Sequence, residues 1–188
     1  MKTFLQSLSG AALVLAMASV QATPSVSNAG FETGDFSDWT LSGDADHNLV
    51  SGDLPYDGSY SAVFGQSGSA ATLSQTLATD AGHNYIVSFW LANLGGSVNN
   101  DSTINSVEVL TNDHSIWLYQ DKTASDYTKY SLQFTADSAN TVLAFKLRHD
   151  ETFWLLDNVT VIPSIPEPAS WLMLGAGLGL LALQRRRS

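Results

Sequence analysis

Apolar and polar residues alternate with a period of two along the middle of the chain, which is typical of strands that bury one face. Turn-forming pairs such as Asp57-Gly58 and Asn112-Asp113 separate these segments, and no convincing amphipathic helix lies between them. The pattern predicts strands at residues 39–42, 61–64, 71–77, 85–92, 104–110, 116–119, 130–135, 143–148 and 153–162. Many short strands joined by turns predict an all-β fold, an antiparallel jelly-roll β-sandwich.

Apolar stretches at both ends of the chain stand apart from this alternation. Residues 1–22 combine Lys2, an apolar run and the sequence Val20-Gln21-Ala22, which indicates a helical secretory signal peptide cut after Ala22. Residues 163–188 hold a Pro-rich stretch, an apolar run of 15 residues at 169–183 and three arginines. That run is shorter than the ~20 residues that span a bilayer, so we expect a short, temporary anchor helix. One domain, residues 23–162, lies between the two ends.

The predicted domain is strongly acidic. It holds four of the chain's 8 lysines and arginines and 17 of its 18 aspartates and glutamates, a net charge of −13. This charge excludes nucleic acid as a partner and suits divalent cations, neutral sugars or a hydrated polymer, although solubility alone explains most of the acids. The chain has no cysteine, so an exported domain must rely on its core, or on its core and a metal.

The C-terminal segment resembles the sorting signal of PEP-CTERM proteins. A Pro-Glu-Pro triplet, a small and apolar helix and a basic end follow one another in the order of that signal, at Pro166, Glu167 and Pro168 and at Arg185, Arg186 and Arg187. The resemblance implies processing by signal peptidase and an exosortase, with transient anchoring in the inner membrane of a Gram-negative bacterium. It also implies release to the cell surface or an extracellular matrix. An ordinary tail-anchored protein is the alternative.

The domain resembles galactose-binding-like jelly rolls, a group that includes many carbohydrate-binding modules. The resemblance rests on the opening Asn28-Ala-Gly-Phe-Glu32, the loop and strand Tyr56–Gly65, the pair of segments 70–77 and 83–93, and the closing strand Trp154–Val161. It implies a structural calcium ion that Glu32, Asp157 and the carbonyl groups of Asp57, Gly58 and Ser59 would hold. Calcium prefers such oxygen ligands. Two departures, Ala29 and Asn158, replace more usual glycine and aspartate, and two solvated carboxylates without a metal are the alternative.

No catalytic motif emerges from the sequence. The four histidines are scattered, and no Gly-x-Ser-x-Gly, P-loop or dinucleotide-binding pattern occurs, so we expect the protein not to be an enzyme. Exposed aromatic rings are the usual platforms for sugars, and the candidates are Trp117, Tyr119 and Tyr56, followed by Trp154 and Tyr127. The core is the competing place for large aromatics, and we expect Trp39, Trp90 and Trp154 there.

The sequence therefore predicts an exported, non-catalytic module that binds extracellular polysaccharide. A structural or adhesive component of a biofilm matrix without a sugar site is the first alternative. A glycan-active enzyme is the second.

Overall fold

The structure, a computed structural model, describes residues 22–96 and 104–164. These residues form no helix and ten strands: β1 (Thr40–Ser42), β2 (Asn48–Ser51), β3 (Ser61–Phe64), β4 (Ala71–Ala78), β5 (Asn84–Asn93), β6 (Asn105–Thr111), β7 (His114–Gln120), β8 (Ser125–Thr135), β9 (Asn140–His149) and β10 (Trp154–Pro163). The predicted signal and anchor helices lie outside the described residues. Within the described residues, no helix is long and apolar enough to span a membrane.

The strands form two antiparallel sheets of five strands each, which confirms the predicted all-β sandwich. The back sheet has the order β1-β4-β9-β6-β7, and the front sheet has the order β2-β3-β10-β5-β8. From β3 onward, every connection except β6–β7 passes from one sheet to the other. This alternation is the winding of a jelly roll. It brings β10, the last strand, between β3 and β5 at the centre of the front sheet.

The core lies between the inner faces of the sheets, where the period-two alternation predicted it. The fully buried side chains include Tyr85, Val87, Phe89 and Leu91 of β5, Leu143, Phe145 and Leu147 of β9, and Trp154 of β10. Phe31 and Trp39 close one side of the sandwich, with ring centroids 5.8 Å apart. The segment before β1 is thereby part of the domain.

Trp90 does not belong to the core, contrary to the expectation from the sequence. Side chains alternate along β5, so Trp90, between the buried Phe89 and Leu91, points to the outer face of the front sheet. There it lies in register with Asp157 of β10 on one side and Lys129 of β8 on the other. Residues 52–60, which we call the cover loop, cross this part of the outer face and form the candidate site with it.

Candidate functional site

Three aromatic side chains, Tyr56, Trp90 and Tyr127, meet under the cover loop and form what we call the aromatic cluster. The Tyr56 ring stacks on Trp90, with centroids 3.8 Å apart and an interplanar angle of 17°. Tyr127 lies 5.5 Å from Tyr56, and its hydroxyl donates a hydrogen bond to the Leu54 carbonyl at 2.9 Å. Burial raises the pKa of Tyr127 to about 12, so its hydroxyl remains a donor at neutral pH. Tyr56 remains 39% exposed, so part of its ring is open to a ligand.

A cavity of about 350 Å³ opens beside the aromatic cluster, between the cover loop and the adjacent ends of β5, β8 and β10. Its wall is mainly apolar, while a few polar groups come from the start of β8. The lining residues are Leu54, Pro55, Ala92, Leu94, Leu155, Ser125, Asp126 and Tyr127. A concave, mostly apolar surface with a few polar groups is the usual character of a small-ligand site.

A second cavity, of about 330 Å³, lies near the other end of β8. Most of its polar side chains already form hydrogen bonds within the protein. Asn112 donates to Asp137 and accepts the N–H of Val142, and the Thr141 hydroxyl pairs with Thr79.

Glu32, a predicted calcium ligand, holds the cover loop from below. Its carboxylate accepts the backbone N–H of Ser59 at 3.1 and 3.0 Å and that of Tyr60 at 3.2 Å. Gly58 permits this approach, because a Cβ at that position would collide with the carboxylate and the φ of +71° is left-handed. Glu32, Gly58 and Ser59 thus meet in space although Gly58 follows Glu32 by 26 positions in the sequence.

Asp157 holds the middle of the same loop. Its Oδ2 accepts the backbone N–H of Tyr56 at 2.9 Å and of Asp57 at 3.3 Å, and its Oδ1 accepts that of Asn158 at 2.7 Å. Burial raises the pKa of Asp157, and the charge of Glu32 adds to the rise, while the three N–H bonds oppose it. The two carboxylates together position Tyr56 above Trp90.

Backbone N–H groups already bind the two carboxylates that were predicted to hold calcium. Calcium takes six to eight oxygen ligands, including backbone carbonyls. The N–H groups of the cover loop that point at Glu32 and Asp157 repel a cation and compete with it for these carboxylate oxygens. In the part of the chain that the structure describes, no cluster of three or more His, Asp or Glu residues could hold a metal ion. Calcium binding stays a prediction.

The predicted sugar platform, Trp117 and Tyr119, lies at the open edge between the two sheets. Both rings are half-buried and stack on each other with centroids 5.1 Å apart. Trp117 also packs on Phe89 at 5.8 Å and on Tyr130 at 4.8 Å, and Tyr119 packs on Trp154. These contacts are typical of residues at the margin of the core. Their role in ligand binding stays a prediction.

A buried histidine supports the turn that carries Leu94. His149 accepts the N–H of Thr152 on Nδ1 at 3.0 Å, so its Nε2 carries the proton and donates to Asn93 at 2.9 Å. Asn93 in turn accepts the N–H of Gly95. Burial lowers the pKa of His149, which is therefore a neutral structural group. This network supports the turn that places Leu94 on the cavity wall.

Sequence reasoning named Tyr56 and Tyr127 but not the groups that complete the site. The alternation along β5 indicated that Trp90 points to the outer face of the sheet, since its neighbours Phe89 and Leu91 both point to the opposite face. Nothing in the sequence pattern indicated that Asp126 belongs to the site, because this residue precedes the predicted start of its strand. The cavity depends on the path of the cover loop, which the sequence does not define.

Two family descriptions match the chain. The family described as "Protein of unknown function (DUF642)" matches residues 22–162, and the PEP-CTERM protein-sorting motif matches residues 164–188. The second match confirms the resemblance to a PEP-CTERM sorting signal, whose predicted residues lie outside those that the structure describes. No curated protein matches the sequence.

Several solved structures are similar in fold. TmCBM61, solved in complex with β-1,4-galactotriose, is 20% identical over 74% of this chain and 97% of its own, with a TM-score of 0.54. The K3 cleaved adhesin domain of Lys-gingipain from Porphyromonas gingivalis is 15% identical over 76% of this chain and 98% of its own, with a TM-score of 0.56. The CBM22-1 xylan-binding domain from Paenibacillus barcinonensis Xyn10C is 15% identical over 81% and 99%, with a TM-score of 0.51. At these identities the likeness establishes the fold alone.

Proposed function

This chain belongs to the DUF642 family, and we propose that it is an exported, non-catalytic polysaccharide-binding module that an exosortase sorts to the cell surface or extracellular matrix. The PEP-CTERM motif at residues 164–188 and the predicted signal peptide support export. Signal peptidase and an exosortase are then the processing partners, and the tail anchors the chain in the inner membrane until it is removed.

The observation that carries the binding function is the cavity beside the aromatic cluster. Pyranose rings have apolar faces, which pack on aromatic and aliphatic side chains, and hydroxyl edges, which need polar partners. Tyr127 supplies aromatic surface on the cavity wall, and the ring of Tyr56, 5.5 Å from it, adds aromatic surface beside the cavity. Leu54 and Leu94 supply aliphatic surface, and Ser125 supplies a hydroxyl. Two of the similar solved structures are described as binding galactotriose or xylan, which supports a sugar ligand.

The cavity also favours binding over hydrolysis. Glycoside hydrolysis needs two carboxyl groups on either side of the scissile bond. Among the described residues that line the cavity, Asp126 is the only carboxylate. A binding module is therefore the better explanation of this site.

A glycan array with the purified exported protein tests the proposal. We expect binding to at least one class of polysaccharide, and we expect Tyr56→Ala to weaken it about tenfold, or ~1.4 kcal/mol. Tyr60→Ala is the matched control, because Tyr60 belongs to the same loop and is 36% exposed but lies outside the aromatic cluster. Turnover of the bound glycans is measured in parallel.

Three results would count against the proposal. No glycan binding by the folded protein would favour a structural or adhesive role in the matrix. An equal loss of affinity in Tyr56→Ala and Tyr60→Ala would show that glycans do not bind at the cavity beside the aromatic cluster. Release of shortened glycans would make the protein an enzyme.

A further inference from the structure

The charge around the cavity restricts the sugars that it accepts. The domain carries a net charge of −13, and Lys122, Lys129, Lys146 and Arg148 are its only lysines and arginines. None of the four lines the cavity. Arg148 is engaged in a bidentate pair with Asp150, and the Lys122 ammonium lies over the Tyr119 ring at 5.2 Å. Lys129 lies in register with Trp90 of the aromatic cluster but does not line the cavity, so a ligand with carboxylate or sulfate groups would meet repulsion without a cation on the cavity wall.

Asp126 is the one charged group on the cavity wall. Its carboxylate forms no hydrogen bond or ion pair with any residue that the structure describes, whereas Glu32 and Asp157 nearby are fully engaged by backbone N–H groups. A carboxylate without a partner at the mouth of a mostly apolar cavity is available to a cation or a strong donor on the ligand.

Taken with the proposed function, on which this inference rests, the geometry points to amino sugars as the ligand class: we propose that the cavity binds glucosamine-type residues with a free, protonated amino group. The apolar ring face packs on Leu54, Leu94 and Tyr127, and the ammonium group donates to Asp126. The cavity of about 350 Å³ lies at the small end of the range for ligand sites, which suits one or two sugar rings. The negative charge of the domain raises the local concentration of such cationic sugars.

Paired oligosaccharides of β-1,4-linked glucosamine and N-acetylglucosamine, equal in length, test this assignment. They share the backbone and differ in the charge of the amino group. Calorimetry with the purified exported protein, at a pH that keeps the amine protonated, should give about tenfold tighter binding of the glucosamine form at low salt. Added salt should reduce this preference.

Two variants of equal charge separate the cavity from the general acidity of the domain. Asp126→Asn should remove the preference for the glucosamine form and leave the affinity for the N-acetylated form unchanged. Asp113→Asn, on the β6–β7 turn, removes the same charge away from the cavity and should leave both affinities unchanged.

The outcomes distinguish this inference from the proposed function. Equal or tighter binding of the N-acetylated form, or an equal effect of the two variants, would overturn the amino-sugar assignment while Tyr56-dependent glycan binding remained. Absence of binding to every glycan, neutral or cationic, would overturn both.

Discussion

Replacing Asp157 with asparagine tests whether this carboxylate holds the cover loop. Asp157 accepts three backbone N–H groups, from Tyr56, Asp57 and Asn158, and its two oxygens share them. Asparagine offers one oxygen in the same place, and its NH₂ group would face N–H donors. One or two of the three donors therefore lose their acceptor, depending on how the amide is oriented.

The expected magnitude follows from these donors. A buried N–H left without a partner costs ~1–3 kcal/mol, and these part-buried donors should cost an amount near the lower end of that range. Relief of a buried charge beside Glu32 offsets part of this loss. We expect Asp157→Asn to lower the free energy of unfolding by about 2 kcal/mol and the Tm by about 8 °C. Glycan affinity should fall as well, because Tyr56 is no longer held on Trp90. Asp113→Asn is the control for thermal unfolding and for binding.

The pH dependence makes the test sharper. Burial, together with the charge of Glu32, raises the pKa of Asp157, so the folded state binds this proton more tightly than the unfolded state does. The stabilisation from protonation is fully present below the unfolded-state pKa and is lost as the pH rises through the folded-state pKa. In EDTA, the difference in Tm between the wild-type protein and Asp157→Asn should therefore widen from about pH 7 to about pH 4.

An unchanged Tm in Asp157→Asn would refute the role of the carboxylate, and a difference that narrows in acid would refute the pKa argument. Repeating the melts with calcium tests the predicted metal. A cation beside Glu32 and Asp157 would lower the pKa of Asp157, so calcium should then stabilise the wild-type protein and make the difference narrow in acid. A wild-type Tm that responds to neither calcium nor EDTA would contradict the calcium prediction.

Two further predictions concern residues outside the cavity. Trp117→Ala removes a half-buried ring that packs on Phe89 and Tyr130 and should cost about 2–3 kcal/mol of stability with glycan affinity unchanged. Lost affinity at an unchanged Tm would instead support the Trp117 and Tyr119 platform. The pKa of His149 is lowered, mainly by burial, so its stabilising contribution is present above the unfolded value of about 6.5 and is lost as the pH falls. His149→Gln should flatten the dependence of Tm on pH between about pH 7 and pH 5, and an unaltered dependence would contradict this reasoning.

The sequence predicted the central strands well because burial on one face leaves a period of two. Both β5 and β9 alternate over ten residues, and their inner side chains are the core. The alternation of apolar and polar residues is weaker in strands at a sheet edge, such as β2 and β8. β2 was missed because Asn48–Ser51 has only four residues, and its Leu49 is 41% exposed. β8 begins at Ser125, before the predicted start at residue 130, because pairing with β5 extends it through a polar stretch.

The candidate site was predictable only in part because it joins residues that are distant in the sequence. Tyr56 was identifiable as a loop aromatic, but its partner Trp90 belongs to a strand whose other large side chains are buried. The contacts that bring them together are backbone N–H groups donating to carboxylates, and a backbone donor has no signature in residue type. The resemblance implied that Glu32 and Asp157 converge with the carbonyl groups of residues 57–59 around calcium, whereas the contacts in the structure are made by backbone N–H groups of the cover loop.

The position of β10 relates the cavity to the sorting signal. Leu155, near the start of β10, lines the cavity, whereas Pro163, at its end, lies in register with Tyr85. The eight residue steps from Leu155 to Pro163 span ~26 Å at ~3.3 Å per residue. The N–H of Ser164, where the match to the PEP-CTERM motif begins, donates to the Asn84 carbonyl at that far end. The described part of the chain therefore ends, at Ser164, on the side of the domain opposite to the cavity. The first residue of the sorting motif and the proposed binding site thus occupy different ends of the sandwich.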